Sequence, residues 1–319
     1  MPACIYSEPV DTVLARGRLR ELSPRRYAQV AALSALSLYL IVITGAAVRL
    51  TGSGLACESW PGCQEGSFFP AAGTHSSVEF GNRVVALVPI LLSLAAWGAA
   101  RRTPGLPRWG IWLAAFVFLG TIAQAPLGLL TIRLDLHPLM VMTHFLLALV
   151  VLGGAVVLAI EAWGNASGRL RSPVAPTVRR LGLVLAAACV ILVVTGTLST
   201  ASGPHPGDSA EIERFWNLLD AMWLHVRATA AFGLSFLVLL AYLVRQRQRI
   251  GLLLHGALGL LGLLVVQMTI GEVQWRNQLP WWLVLIHVGV AGAVWAWTVG
   301  FVTALWRPPA PLVRRTPEP

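Results

Sequence analysis

The sequence predicts an all-α integral membrane protein whose eight transmembrane helices form two duplicated four-helix bundles, and three observations carry that expectation. The first is composition. Of 319 residues, 56% are hydrophobic and 12% charged, and the mean hydropathy is +0.70, whereas an ordinary soluble domain carries about 25% charged residues. The second is a set of apolar runs of about twenty residues, each long enough to cross roughly 30 Å of hydrocarbon as a helix. They occupy 28–50, 79–100, 109–132, 139–160, 180–201, 222–244, 250–272 and 281–305. The third is an internal repeat. Gln124, Gly128 and His144 recur as Gln267, Gly271 and His287 at one offset of 143 (267−124, 271−128, 287−144), and the same offset links Asn82 to His225 (225−82).

Arginine orients the spans, because the chain contains no lysine. Arg16, Arg18, Arg20, Arg25 and Arg26 precede the first span. Arg101, Arg102 and Arg108 join spans two and three, Arg169, Arg171, Arg179 and Arg180 join four and five, Arg245, Arg247 and Arg249 join six and seven, and Arg307, Arg314 and Arg315 follow the eighth. The alternate loops carry mainly Glu58, Glu65, Asp135, Asp208, Glu211, Glu213 and Glu272. The excess of arginine on one side makes both termini cytoplasmic. The parts follow in order: a cytoplasmic N-terminal segment 1–27, a first bundle 28–161, a cytoplasmic linker 162–178, a second bundle 179–306 and a cytoplasmic tail 307–319. The net charge of +10 is accounted for by this topology and by anionic membrane lipid at the inner surface, so nucleic acid is not an expected partner. The first apolar run follows 27 polar and basic residues and is too long for a signal-peptide core, so no cleavable signal is expected.

Four spans return the chain to the side it left, so the duplicated bundles are expected in parallel orientation. Thr44-Gly45 with Gly52-Ser53-Gly54 answers Thr195-Gly196 with Ala201-Ser202-Gly203 at offsets of 151 and 149 (195−44, 201−52), so the halves align only with gaps. Asn82, His144, His225 and His287 each fall within the first two turns of a span that enters from the outside. His144 and His287, six and seven residues after Pro138 and Pro280, stand about 9–10 Å along their helices at 1.5 Å per residue. An ionisable group at that depth is costly and marks a functional site by default. Two neutral imidazoles facing each other across a bundle suit a planar, metal-centred ligand, a haem held from both faces. The bland alternative is a polar side chain satisfied by a neighbouring helix. The shared offset favours His225 with His287 as ligands, and His144 with Asn82 less, since an amide is a poor iron ligand. His75, His137, His205 and His255 fall outside the pattern and read as structural, His137 being the one held in reserve.

Cys57 and Cys63 flank five residues of the first outer loop, where an oxidising compartment sustains a disulfide. A zinc site is disfavoured because no further ligands complete a tetrahedral set. The pair reads as a structural staple, with thiol exchange left open, and Cys4 and Cys189 read as free thiols. Glu79 lies one turn before Asn82 and on the same face. Burial would raise its pKa and suit it to proton transfer; an ion pair with Arg83 or Arg49 is the competing reading.

Gly45-Ala46-Ala47-Val48-Arg49, Gly52-Ser53-Gly54-Leu55-Ala56-Cys57, Trp60-Pro61-Gly62-Cys63, Glu79-Phe80-Gly81-Asn82-Arg83 and Pro138 through His144-Phe145 together resemble the haem A synthase family of cytochrome oxidase assembly. The resemblance runs over nearly all eight spans. It implies an internally duplicated oxidoreductase of the bacterial plasma membrane that converts haem O to haem A, oxidising one ring methyl to a formyl group through successive hydroxylations. By that resemblance His225 and His287 would ligate a resident haem b, the first-half cavity with His144, Asn82 and Arg83 would receive haem O, Glu79 would be the catalytic carboxylate, and the metal at His225, His287 and His144 would be haem iron. One departure stands out: the family pattern has histidine where this chain has Asn82, which leaves the substrate iron to His144 alone, with a water, or with Asn82. The resemblance leaves a haem O synthase, an electron donor and a second copy of the chain open as protein partners. The competing functions are a b-type cytochrome for quinone-linked electron transfer and a haem carrier; Glu79 and the outer cysteine pair favour the enzyme.

Overall fold

The structure is a computed structural model and describes residues 21–208 and 212–313. Cys4, Arg16, Arg18, Arg20, Glu211, Arg314 and Arg315 lie outside the described residues. The helices run α1 Pro24–Leu50, α2 Thr74–Val85, α3 Leu87–Ala100, α4 Arg108–Arg133, α5 Pro138–Ser167, α6 Pro176–Ser202, α7 Leu218–Arg245, α8 Arg247–Ile250, α9 Leu253–Arg276 and α10 Trp281–Trp306. Among the described residues eight helices are long and apolar enough to cross a membrane, with α2 and α3 together forming the span Thr74–Ala100. The protein is therefore an all-α, multi-pass membrane protein.

Local chemistry explains most helix ends. Ser23 caps α1 and Asn217 caps α7, where Asn217 Oδ1 accepts from the Leu219 and Asp220 N–H groups at 2.9 and 3.2 Å. Pro24, Pro138 and Pro176 begin α1, α5 and α6, where a missing N–H costs nothing. The second span breaks at Ala86, because Pro89 has no N–H to donate to Val85 and its ring crowds that carbonyl. It also starts at Thr74 instead of the expected 79, so Asn82 stands eight residues into α2 (82−74), just past two turns. The fourth span runs on to Ser167 and stops at Gly168 (φ 82°). The seventh starts at Leu253 because Gly251 (φ 53°) separates it from the short α8.

The turns entering α5 and α10 share an unusual backbone. Asp135-Leu136 and Gln278-Leu279 are consecutive left-handed non-glycine pairs, again 143 apart (278−135). In each, the second N–H reaches back five residues, Leu136 to the Thr131 carbonyl (3.0 Å) and Leu279 to the Gln274 carbonyl (2.8 Å), closing the preceding helix. His144 and His287 then both stand six residues into their helices (144−138, 287−281).

Since lipid is as apolar as leucine, close packing and buried polar links hold such helices together. Leu38 and Val42 of α1 pack on Leu149 and Leu152 of α5, with Trp295 of α10 against them. Trp295 Nε1 donates to the Leu149 carbonyl (2.7 Å) and Tyr39 Oη to the Gly289 carbonyl (3.0 Å), so α10 is bonded to α5 and α1. Phe232, Phe236 and Leu239 of α7 form another cluster with Leu185, Leu260 and Phe301. At the end where α1 starts and α10 stops, Glu161 is 1% exposed and pairs with Arg169 (2.7 Å) and with Arg307 through both carboxylate oxygens (3.0 Å each). At the opposite end the loops after α1 and α6 meet at two glycines. The Gly54 N–H donates to the Gly207 carbonyl (2.7 Å), and a Cβ on Gly54 would stand 2.9 Å from that oxygen.

Candidate functional site

A cavity of about 600 Å³ lies among α1, α2, α4 and α5 toward the end that carries Cys57 and Cys63, within the roughly 300–1,000 Å³ usual for cofactor and ligand sites. Glu79, Asn82, Arg83, Gln124, His144 and Arg49 line it, with apolar residues over most of the remaining wall.

Each repeated histidine is held in a small built socket. In α4, Gln124 donates to His144 Nδ1 (3.1 Å) and to its carbonyl (3.3 Å) while accepting from the Ala148 N–H (2.9 Å). One turn on, Gly128 gives the ring room, since a Cβ there would touch His144 Cε1 at 3.5 Å. The second half repeats this: Gln267 of α9 donates to His287 Nε2 (3.0 Å) and to its carbonyl (3.2 Å), and a Cβ on Gly271 would stand 3.2 Å from His287 Cε1. Each glutamine thus fixes one ring nitrogen, Nδ1 in His144 and Nε2 in His287, and as a donor there it leaves the ring proton on the other. In His287 the remaining nitrogen, Nδ1, and the Gln267 oxygen Oε1 are both buried with no partner; turning the amide to set Oε1 against the ring N–H at Nε2 pairs that oxygen and frees a lone pair on Nδ1 for a ligand.

Facing His287, His225 of α7 is fixed from α6. Its Nδ1 lies 3.2 Å from Thr195 Oγ1, and a Cβ on Gly196 would stand 3.0 Å from its Cε1. His225 and His287 lie within electrostatic range of each other. Haem-ligating imidazoles are ordinarily oriented by donating from their second nitrogen. The Thr195 hydroxyl can accept that proton from His225 Nδ1, and the Gln267 amide can accept it from His287 once turned to present Oε1, so the pair fits axial ligation of a haem with the amide in that orientation.

The first half departs at the position matching His225. Asn82 stands there, and a Cβ on Gly45, the counterpart of Gly196, would meet nothing within 4 Å. The Asn82 side-chain oxygen is buried without a partner. The space that the His225 ring fills in one half is open in the other.

Glu79, 4% exposed, sits at the junction of the cavity and the loop after α1. Its Oε2 accepts the Cys57 N–H (2.8 Å) and its Oε1 pairs with Arg83 one turn on. Arg83 also donates to the Ser59 carbonyl (2.7 Å) and to that of Gly62. Cys57 and Cys63 form a disulfide, so the closed loop is latched onto α2 through Glu79 and Arg83. Of the two ion pairs expected for Glu79, the one with Arg83 forms. Arg49 instead donates Nη2 to the Thr200 carbonyl (2.9 Å). It lies in electrostatic range of Arg214, whose guanidinium burial holds below its usual range.

The other histidines have ordinary surroundings. His75 Nδ1 bonds to Ser53 Oγ (2.8 Å), His205 Nε2 to the Leu279 carbonyl (2.7 Å), the His137 backbone caps α5, and His255 is exposed near the start of α9. Cys189 is a buried free thiol. The residues that support the sites were harder to foresee. Gln124 and Gln267 are visible in sequence as repeat markers, yet their bond to the histidine appears only once α4 meets α5 and α9 meets α10. Thr195 is announced only by its place beside Gly196.

Fold and site define a multi-pass membrane protein with an imidazole pair and a largely apolar cavity into which a few polar groups are set, and the comparisons agree with a haem-linked class. The model of the family described as COX15-CtaA, cytochrome oxidase assembly protein, matches residues 28–299. The chain belongs to this family. It is 26% identical over 314 residues to a heme A synthase of Shewanella oneidensis, covering 84% of this chain and 93% of that protein. It is 34% identical over 109 residues to a heme A synthase of Geobacillus thermodenitrificans, an alignment spanning 33% of each chain. It also aligns over 296 residues, at 29% identity, with a protoheme IX farnesyltransferase of Thermus thermophilus, covering 83% of this chain and 46% of that longer protein.

Proposed function

We propose that this protein is a haem A synthase, an oxidoreductase that converts haem O to haem A. The observation that carries the proposal is the cavity that sets the Glu79 carboxylate and the His144 imidazole on one wall system, beside a separate, socketed pair in His225 and His287. A cytochrome needs the pair alone and a carrier needs no buried carboxylate, so Glu79 favours the enzyme.

In this reading the two halves are duplicated four-helix bundles, 28–161 on the substrate side and 179–306 on the resident haem side. The loop with Cys57 and Cys63 faces outward and both termini face the cytoplasm of a bacterial plasma membrane. His225 and His287 hold a haem b, which when bound supplies one-electron transfer. His144, kept in one orientation by Gln124, holds the iron of haem O. Arg49, with positive charge at the cavity, receives the acidic substituents of the macrocycle. Each hydroxylation that draws one dioxygen and two electrons also takes up two protons and releases one water, and the doubly hydroxylated carbon loses water to give the formyl group. Glu79, next to the cavity, is the group that relays those protons. Arg83 and the Cys57 N–H keep the carboxylate aimed, and the disulfide keeps Cys57 in place. The partners are haem O, membrane lipid, an electron donor and an enzyme that supplies haem O. The aligned relative named protoheme IX farnesyltransferase agrees with such a supplier.

The test is conversion by the purified protein supplied with haem O, reductant and air, read by chromatography and mass spectrometry of the extracted pigment. The wild type is expected to yield haem A, and His144→Ala to yield none while keeping its b-type spectrum. Haem O recovered unchanged from the wild type would move the assignment to a cytochrome or a carrier.

A further inference from the structure

The first-half cavity repeats the second-half imidazole pair with one member replaced, and the replacement leaves an unpaired amide and an open space. Asn82 occupies the position matching His225 by the offset that also relates His144 to His287 (225−82, 287−144). Its side-chain oxygen is buried without a partner, and neither end of its amide makes a hydrogen bond to any described residue. Beside it, a Cβ on Gly45 would meet nothing within 4 Å, whereas on Gly196 it would press on the His225 ring at 3.0 Å. Asn82 and His144 both line the same cavity, and Gln124 engages only one His144 ring nitrogen, Nδ1; with the amide oxygen turned to accept the Nδ1 proton, Nε2 keeps a lone pair for iron.

An amide oxygen is a weak ligand for iron beside an imidazole, yet a buried amide is seldom left unpaired. Both conditions are met if Asn82 hydrogen-bonds a small molecule that itself occupies the iron. We infer that the substrate haem is held by His144 alone, and that its opposite axial position is an exchangeable site for a small neutral ligand, a water or a diatomic gas, positioned by the Asn82 amide. Asn82 is thus a positioning residue acting through that ligand. The inference deepens the haem A synthase reading and rests on its placement of haem O beside His144, but its test reads ligation and not turnover.

The probe is carbon monoxide, added to anaerobic, reduced protein titrated with haem O. A haem with both axial positions filled by histidine takes up carbon monoxide poorly, so the His225–His287 haem stays silent. The wild type is expected to bind one carbon monoxide per His144-dependent haem, and His144→Ala to lose that haem. Asn82→His should close the site, turning the haem low-spin and slowing carbon monoxide uptake at least about tenfold. Asn82→Ala should keep the stoichiometry but lose the hydrogen bond, shifting the C–O stretching frequency and releasing the gas about tenfold faster. Wild-type protein that holds its His144-dependent haem yet binds no carbon monoxide would overturn the inference, as would the absence of such a haem, or Asn82→Ala with unchanged stretch and release. Haem A formed by a wild type that fails to bind carbon monoxide would sink this inference alone; carbon monoxide binding as described without haem A would sink the enzymatic reading alone.

Discussion

Gly196→Ala gives a sharp test of the second-half site, with Gly45→Ala as its internal control. The added methyl at 196 would stand 3.0 Å from His225 Cε1 and 3.4 Å from its Nδ1, so the ring must move by several tenths of an ångström or the helices must part. Overpacking of this kind costs about 1–3 kcal/mol. Without haem, His225 can turn aside; with haem it must return to the crowded position, so the cost falls on binding. At 1.4 kcal/mol per tenfold, that is a roughly 5- to 150-fold loss of haem b affinity. Alanine is the better helix former by about 1 kcal/mol, but that gain is present with and without haem and cancels. The assay is transfer of haem b from purified protein to an excess of a haem-scavenging globin, followed by the b-type absorbance. Gly45→Ala meets nothing within 4 Å and should retain haem b as the wild type does. Equal retention by both variants, or equal loss, would refute the reading of Gly196 as the floor of the His225 socket.

Other perturbations address the rest of the structure. Glu161→Gln removes the charge that Arg169 and Arg307 share at a carboxylate 1% exposed, and because both arginines keep access to solvent, detergent-solubilised protein should lose about 1–3 kcal/mol and melt earlier with an unaltered b-type spectrum; an unchanged Tm would contradict the buried cluster. Replacing Cys57 and Cys63 together with serine frees the loop whose Cys57 N–H reaches Glu79 at 2.8 Å, and should remove about 2–4 kcal/mol and depress haem A formation while haem b stays bound. Undiminished haem A in that variant would show that the latch does not aim the carboxylate. Thiol labelling of intact cells after reduction should modify Cys57 or Cys63 and spare Cys4; the reverse pattern would invert the orientation.

Much of this molecule is legible from sequence because apolar length and arginine placement are strong, one-dimensional signals. The eight spans follow from them directly, and the ends that differ have local causes. Thr74-His75-Ser76-Ser77 is polar and hides the first turn of α2, and Pro89 splits the second span at Ala86, which no hydropathy window registers. The repeat offset brings out His144, His225, His287 and Asn82 because a duplication preserves spacing even where side chains diverge. Partner choice is another matter. Whether Glu79 meets Arg83 or Arg49 depends on how α2 is turned against the loop and on what Arg49 finds at Thr200. That Thr195 secures His225 depends on the register of α6 against α7. These are properties of helix pairs, and a single span carries no record of them.

The account turns on whether the Glu79 carboxylate, and not just the cavity, makes haem A. Glu79→Gln keeps the shape and an oxygen for the Cys57 N–H while removing the titratable group. In cells that also supply haem O, the ratio of haem A to haem O in extracted pigment is the deciding measurement. The wild type should yield haem A, and Glu79→Gln should retain its b-type haem and haem O while forming about 10²-fold less haem A. Haem A at the wild-type ratio from Glu79→Gln would remove Glu79 from the chemistry, and its absence from the wild type with haem O and reductant present would contradict the proposed function itself.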